Sequence, residues 1–127
     1  MLDHVSIGVK NLKKAQAFYD AILKPLGYKR VWDVDSGSGY GPNAREPRFW
    51  ISEPEKGKSA RTAPGMHIAF IATNRARVRA FHEAALATGG KDNGAPGLRP
   101  QYHPNYYGAF VIDPDGHHVE AVCHLPK

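Results

Sequence analysis

Two stretches of the chain share one pattern of apolar and polar positions. Each opens with a short alternating run, HVSIGV from His4 and HIAFIA from His67, and continues with apolar residues at helical spacing. Alternation is typical of a half-buried strand, and apolar residues at i, i+3, i+4 and i+7 indicate an amphipathic helix. The helical positions are Ala15, Phe18, Tyr19 and Ile22 in the first stretch and Val78, Phe81, Ala85 and Leu86 in the second. We therefore predict a strand followed by a helix in each half of the chain.

The ends of both helices carry recognisable signals. Asn11 and Asn74 precede them, and an asparagine side chain there can accept a hydrogen bond from a free backbone N–H of the first turn. Gly27 and Gly90 follow them, where helices often end in the left-handed conformation.

Each helix is followed by strand-like runs separated by turn residues. In the first half these are YKRVWDV, a weak run near Tyr40, and PRFWIS; in the second they are a poorly defined run at 91–98, YYGAFVI, and HHVEAVCH. DPDG at 113–116 joins the last two runs as a tight turn. The pattern predicts an α+β fold of two βαβββ modules within one domain. Module one covers about 1–53, a polar linker about 54–64, and module two about 65–127.

The two modules are copies of one unit. HVSIGVKNLKKAQAFYDAIL aligns without a gap to HIAFIATNRARVRAFHEAAL, and six residues are identical. Chance would give roughly one or two identities over such a length. His4 and His67 hold the same place in the two units, so a pseudo-two-fold axis could bring both imidazoles to one point. A histidine alone in a strand is more often structural, and it is this recurrence that favours a binding role.

Glu120 is a candidate third partner for the two histidines. It stands between Val119 and Ala121 in the last strand-like run, and a buried glutamate should be paired or bound to a cation. Two imidazoles with one carboxylate suit a divalent first-row metal. Spacing alone leaves open that the strand lies at a solvated edge and that Glu120 faces water.

At this point the chain resembles the vicinal oxygen chelate superfamily, which includes glyoxalase I, bleomycin-resistance proteins and extradiol dioxygenases. The similarity covers essentially the whole chain and is carried by HVSIGVKNLKKAQAFYDAIL, GMHIAF and DPDGHHVEAV. It implies that the paired modules curl into an open, cup-shaped, mostly antiparallel sheet with the helices outside. It also implies a divalent metal in the cup, held by His4, His67 and Glu120, and a homodimer.

One position departs from the four-ligand members of that family. The last strand of module one offers Phe49, Trp50 and Ile51 where a carboxylate would be needed, and Glu53 would reach the place only if the strand register slipped. The general-base position of glyoxalase I is therefore empty, so we do not expect that activity. A two-histidine-one-carboxylate set, with Fe, Mn, Ni or Zn, instead predicts a metal-dependent enzyme of the glyoxalase/dioxygenase type. Such an enzyme, a lyase or a dioxygenase, would act on a small substrate with vicinal oxygens. A metal-free ligand-binding protein, similar to the bleomycin-resistance members, is the alternative.

Several further residues are candidates for the substrate pocket. Tyrosines supply apolar area together with a hydroxyl, and a tyrosine-rich loop precedes the strand expected to pair with that of Glu120. Trp50 could form an apolar wall of the pocket where the fourth metal ligand is missing, and Arg48 could pair with a substrate carboxylate. Cys123 lies on the opposite side of its strand from Glu120, so we expect it to be a packing residue. The candidates are His103 as an acid or base near the metal, and Trp50, Tyr102, Tyr106, Tyr107 and Arg48 as substrate contacts.

Composition and charge limit the kinds of molecule that the protein is expected to bind. The formal charge of +5 is modest and its basic residues are scattered, so a small anionic substrate is a better match than nucleic acid. Arg75, Arg77 and Arg79 indicate a solvated helix face. No apolar run is long enough to predict a membrane span. With Cys123 as the single cysteine, no intrachain disulfide can form, and we expect a cytoplasmic protein.

Overall fold

A computed structural model describes all 127 residues. Module one contains β1 (Val5–Gly8), α1 (Leu12–Leu23), a 3₁₀ turn (Lys24–Leu26), β2 (Lys29–Val34), β3 (Gly37–Gly41) and β4 (Phe49–Ser52). Module two contains β5 (His67–Ile71), α2 (Arg75–Ala87), β6 (Lys91–Leu98), β7 (Tyr107–Ile112) and β8 (His118–Cys123). Neither α-helix has the length and apolar character needed to cross a membrane.

The strands form two open four-stranded sheets with the same topology. Their orders are β1-β4-β3-β2 and β5-β8-β7-β6. The first and last strands of each module pair in parallel, and all other neighbours pair antiparallel. The predicted α+β fold of two βαβββ modules is therefore confirmed. The first strands β1 and β5 do not pair with each other; each lies at a free edge of its own sheet.

The helix starts follow the sequence prediction. The side chain of Asn11 accepts a hydrogen bond from the backbone N–H of Lys14 at 3.1 Å, and that of Asn74 from Arg77 at 2.9 Å. The predicted apolar stripe of α1 is buried, whereas in α2 Leu86 is 45% exposed. Leu86 lies beyond the last position of α2 that faces the core.

The helix ends are only partly as expected. Gly27 adopts the left-handed conformation at φ 86°, but in module two Gly89 rather than Gly90 does so, at φ 97°. Gly90 is required for a steric reason instead, because a Cβ there would lie 2.8 Å from a ring carbon of Phe18 in α1. It allows the end of α2 to approach the other module closely.

One hydrophobic core of 21 buried residues spans both modules. The ring of Phe49 in β4 packs edge to face on Phe70 in β5, with centroids 5.1 Å apart. The hydroxyl of Tyr19 in α1 donates a hydrogen bond to Asp113, in the turn between β7 and β8, at 2.5 Å. The helix-facing sides of the two sheets therefore share a core, which leaves the other side of each sheet free.

We name these free sides open face one and open face two. Because side chains alternate along a strand, open face one carries residues on the opposite side from Val5, Ile7, Phe49 and Ile51. These residues include His4, Ser6, Gly8, Gly37, Gly39, Arg48, Trp50 and Ser52. Open face two carries His67, Ala69, Ile71, Tyr106, Gly108, Phe110, His118, Glu120 and Val122.

Candidate functional site

Glu120 and His67 meet on open face two. The parallel pairing of β5 with β8 places Glu120 opposite Ala69 and His67 opposite His118. Oε1 of Glu120 lies 3.2 Å from Nε2 of His67. Glu120 is 1% exposed, whereas the His67 side chain is 53% exposed. The glutamate is therefore fixed within the sheet and the imidazole is accessible above it.

Tyr106 provides the one hydrogen bond that Glu120 receives. Its hydroxyl donates to Oε2 of Glu120. Gly108 makes room for this arrangement, because a Cβ there would lie 3.2 Å from the Tyr106 ring and 3.4 Å from Glu120 Oε2. Burial, and then the hydrogen bond to Glu120, raise the pKa of Tyr106. The phenol thus stays protonated and acts as a donor.

His67 and Glu120 fit two ligands of one divalent ion. Nitrogen and oxygen ligands each lie about 2.1 Å from such an ion, so neighbouring ligands stand about 3 Å apart. The separation of 3.2 Å matches this value. The donor set also matches, because imidazole with carboxylate suits iron, manganese, nickel and zinc. A buried carboxylate with a single hydrogen bond would also be stabilised by a cation.

His4 lies apart from this pair, on open face one. Its Nδ1 contacts Oδ1 of Asp3 at 2.6 Å, and half of its side-chain surface is exposed. The hydrogen bond from His4 lowers the pKa of Asp3. No three histidine, cysteine, aspartate or glutamate side chains of the chain form a group that could hold a metal. The convergence of His4 with His67 suggested by the repeat does not occur within one chain.

Arg48 and Trp50 share open face one with His4. The Arg48 guanidinium donates to the backbone oxygen of Asp3 and to Glu46, each at 3.2 Å. Trp50 is half-buried, and its ring lies over Gly39. β4 pairs with both neighbours without a register shift, so Glu53 follows the strand and Trp50 stays on the open face. Arg48 and Trp50 therefore lie on the same face as His4, and on the sheet that does not carry Glu120.

An aromatic cluster surrounds Tyr106. Nε2 of His103 lies 2.8 Å from Nδ1 of His124, and Nδ1 of His103 accepts a hydrogen bond from the backbone N–H of Asn105 at 3.1 Å. Both ring nitrogens of His103 are therefore engaged, and its ring contacts Tyr106 rather than Glu120. Tyr102 packs on Tyr106 with centroids 4.8 Å apart.

A cavity of about 290 Å³ opens beside His67 on this face. It is lined by both polar and apolar side chains, which include His67, Met66, Asn93, Tyr102, Phe110 and His118. Asn93, Phe110 and His118 were not predicted as site residues. Phe110 could have been found from alternation in YYGAFVI, because it has the same parity as Tyr106.

Tyr107 lies on the other side of β7, contrary to the expectation that it lines the pocket. It pairs with Cys123, which is buried in the core as predicted. The Arg79 guanidinium donates to the Tyr107 hydroxyl at 3.4 Å, and the Arg75 guanidinium lies 5.1 Å from its ring centre. Tyr107 therefore packs against α2. The two adjacent tyrosines point to opposite faces because strand side chains alternate.

The fold is that of the glyoxalase type, and comparison with known proteins identifies the family. Residues 1–121 match the model of the glyoxalase/bleomycin resistance protein/dioxygenase superfamily, so the chain belongs to that superfamily. No curated protein matches the chain.

Several solved structures match the fold of this protein over nearly the whole chain. A glyoxalase/bleomycin resistance protein from Albidiferax ferrireducens T118 is 32% identical, with a TM-score of 0.88 over 97% of this chain and 98% of that one. A glyoxalase/bleomycin resistance protein/dioxygenase family enzyme from Burkholderia phytofirmans PsJN is 16% identical and has a TM-score of 0.74. The match covers 97% of this chain and 98% of that one. A fosfomycin resistance protein from Listeria monocytogenes is 22% identical and has a TM-score of 0.67. The match covers 98% of this chain and 93% of that one. The last two share the fold.

Proposed function

We propose that this protein is a metal-dependent enzyme acting on a small substrate with two vicinal oxygens. A divalent ion of iron, manganese, nickel or zinc would be held by His67, Glu120 and a His4 side chain. The observation that carries the proposal is the buried Glu120 carboxylate, whose Oε1 lies 3.2 Å from His67 Nε2. A buried carboxylate facing an exposed imidazole beside an open cavity supports a ligand-binding centre.

In this proposal His4 comes from a second copy of the chain. Open face one of one copy would cover open face two of the other, and two-fold symmetry would create two equivalent sites. Two observations support this arrangement. β1 and β5 both offer unpaired edges. Large apolar side chains are also exposed beside the open faces, namely Trp32, Val34, Met66 and Ile71.

The chain's own residues have distinct tasks in the proposed reaction. The ion, when bound, would act as a Lewis acid toward the two substrate oxygens. Tyr106 fixes Oε2 of Glu120, so that Oε1 and His67 face the same point. His103 acts through Tyr106 as a positioning residue, because both of its ring nitrogens are engaged. Tyr102 would contact the substrate from one copy, and Trp50 and Arg48 from the other.

Glyoxalase I activity does not fit this proposal. That reaction needs a base to move a proton beside a carbonyl, and Trp50 stands where module one would supply a carboxylate. We expect no turnover of the hemithioacetal of glutathione and methylglyoxal, and catechols are the better first substrates to assay. Turnover of the hemithioacetal at an ordinary enzymatic rate would show that this argument is wrong.

Metal analysis tests the proposal directly. Protein purified without a histidine tag, stripped with chelator and then reloaded, should bind about one equivalent of a divalent ion per chain. His67→Ala should reduce the affinity at least tenfold, because it removes one of three protein ligands. His82→Gln is the control, since His82 lies on α2 and contacts Asp92. Equal metal content in wild type and His67→Ala would contradict the enzyme proposal and favour a metal-free binding protein.

A further inference from the structure

Arg99 stands beside the Glu120 site without belonging to the proposed ligand set. It directly follows β6, and its backbone N–H donates to the backbone oxygen of Tyr106 at 2.7 Å. Its guanidinium carbon lies 5.3 Å from the ring centre of Phe110, within the range of a cation–π contact. Phe110 pairs directly with Glu120 on the neighbouring strand. Arg99 is thus tied by its backbone to Tyr106 and by its side chain to open face two.

Two glycines make the space that the Arg99 side chain occupies. A Cβ at Gly94 would lie 3.2 Å from Nη2, and a Cβ at Gly97 would lie 3.2 Å from Nη1. Nη2 donates a hydrogen bond to the backbone oxygen of Ala95 at 2.7 Å. The guanidinium is therefore held in one place by the irregular backbone of β6, and little conformational entropy would be lost when it binds a ligand.

The positive charge of Arg99 has no acidic partner. Glu120 is engaged by Tyr106 and His67, and Asp92 is engaged by His82 and the backbone N–H of Gly94. The hydrogen bonds of the guanidinium go to backbone oxygens, which leaves N–H donors free. A preorganised guanidinium with free donors on an aromatic surface is suited to bind a carboxylate.

The spacing across the sheet limits the size of the ligand. Gly94, Phe110 and Glu120 stand in one row across β6, β7 and β8. Neighbouring strands are about 4.8 Å apart, so the backbone of Gly94, beside which the guanidinium lies, stands about 10 Å from that of Glu120 along this row. A benzene ring with a carboxylate at one end and two vicinal oxygens at the other bridges this distance, once a hydrogen bond of about 2.9 Å to Arg99 is added. Tyr102 and Phe110 would contact its faces.

We propose that Arg99 anchors the carboxylate of an aromatic substrate whose vicinal oxygens point toward His67 and Glu120. This inference rests on the proposed function and specifies its substrate class as small aryl carboxylates. Because of Arg99, the protein would bind catechols that carry a carboxylate more tightly than neutral catechols.

Calorimetric titration with 3,4-dihydroxybenzoate and catechol tests this inference, because the two probes differ only in the carboxylate. Metal-loaded wild type should bind 3,4-dihydroxybenzoate at least tenfold more tightly than catechol. Arg99→Gln should bring this ratio below about threefold while the affinity for catechol stays within about twofold. Arg99→Lys should keep part of the preference. Arg45→Gln, at an exposed position of module one, should behave as wild type.

The outcomes separate this inference from the proposed function. An unchanged ratio in Arg99→Gln, or wild type that binds neither probe or shows no preference, would overturn the role of Arg99. Repeating the titration on chelator-treated protein tests the metal independently. If removing the metal leaves the affinity for catechol unchanged while the preference and its loss in Arg99→Gln persist, Arg99 is the carboxylate anchor and the metal takes no part in binding the vicinal oxygens, which contradicts the metal-dependent function.

Discussion

At the scale of single residues, the site depends on how the charge of Glu120 is compensated. The carboxylate is buried in β8, and its partners are the Tyr106 hydroxyl and the His67 imidazole. Neither partner carries a permanent positive charge, so an interior carboxylate here is costly unless a cation is added. The burial that makes an uncompensated carboxylate costly here therefore favours metal binding.

Removing the Tyr106 hydroxyl should destabilise the protein. Tyr106→Phe leaves Oε2 of Glu120 without a hydrogen bond, and an unsatisfied buried acceptor costs about 1–3 kcal/mol. Urea unfolding of metal-free protein measures the change in the free energy of unfolding. Tyr102→Phe is the matched control, because Tyr102 is 60% exposed and the change should stay within about 0.5 kcal/mol. Equal losses in both variants would show that the Tyr106 hydrogen bond contributes little.

The sequence predicted some of these residues and missed others, for physical reasons. That Glu120 and His67 lie close together could be predicted, because alternation along a strand and the internal repeat are both visible in one chain. Tyr107 was misassigned because its side of β7 depends on register. The position of the Arg99 side chain beside Phe110 could not be predicted, because it depends on an irregular strand whose register shifts next to Gly94 and Gly97.

At the scale of elements, β3 provides the backbone surface on which the Trp50 side chain packs. Its glycines leave that part of open face one without side chains, and Gly39 pairs directly with Trp50. A Cβ at Gly39 would lie 2.8 Å from the indole ring. The tryptophan can therefore lie flat against the sheet only because the neighbouring strand has no side chain there.

This contact predicts a coupled pair of substitutions. Gly39→Ala should cost about 1–3 kcal/mol, because the methyl group collides with the indole. In a Trp50→Leu background the same change should cost at least about 0.5 kcal/mol less, since the colliding ring atoms are gone. Denaturant unfolding of the four proteins gives the coupling energy. Additive effects would mean that Gly39 is required for its backbone rather than for Trp50.

The elements themselves were largely predictable, and the exceptions are instructive. Periodicity located both helices, and Asn11 and Asn74 cap them as expected. β6 was poorly defined in the sequence, and in the structure it pairs with two register shifts. Gly90 was misread as a helix end because its actual requirement, close contact with Phe18, comes from the other module.

At the scale of the whole molecule, the shared core joins the helix-facing sides of the two sheets and leaves both open faces outside it. Phe49 and Phe70 bring the helix-facing sides of the sheets into contact, and His4 does not join His67 and Glu120 in one metal-binding group within the chain. No local pattern could have predicted this, because it depends on how the modules pack. The same geometry allows two copies to complete each other's sites.

An apolar residue at the free edge of β5 should stabilise the proposed dimer. Ile71 is 59% exposed in the single chain. Ile71→Glu should place a charge in the interface and weaken dimerisation at least tenfold, measured by light scattering over a dilution series. Leu86→Glu, on α2 and 45% exposed, is the matched control and should leave the mass unchanged. A monomeric wild type would contradict the shared site.

The most direct test of the account is metal binding by a mixed dimer. A His4→Ala chain paired with a Glu120→Ala chain has one site that lacks both residues and one site that is intact. We predict that neither parental homodimer binds metal strongly, and that the mixed dimer binds about one equivalent with wild-type affinity. A mixed dimer that binds no better than its parents, or parents that bind like wild type, would contradict a metal site built from His4, His67 and Glu120 across two copies.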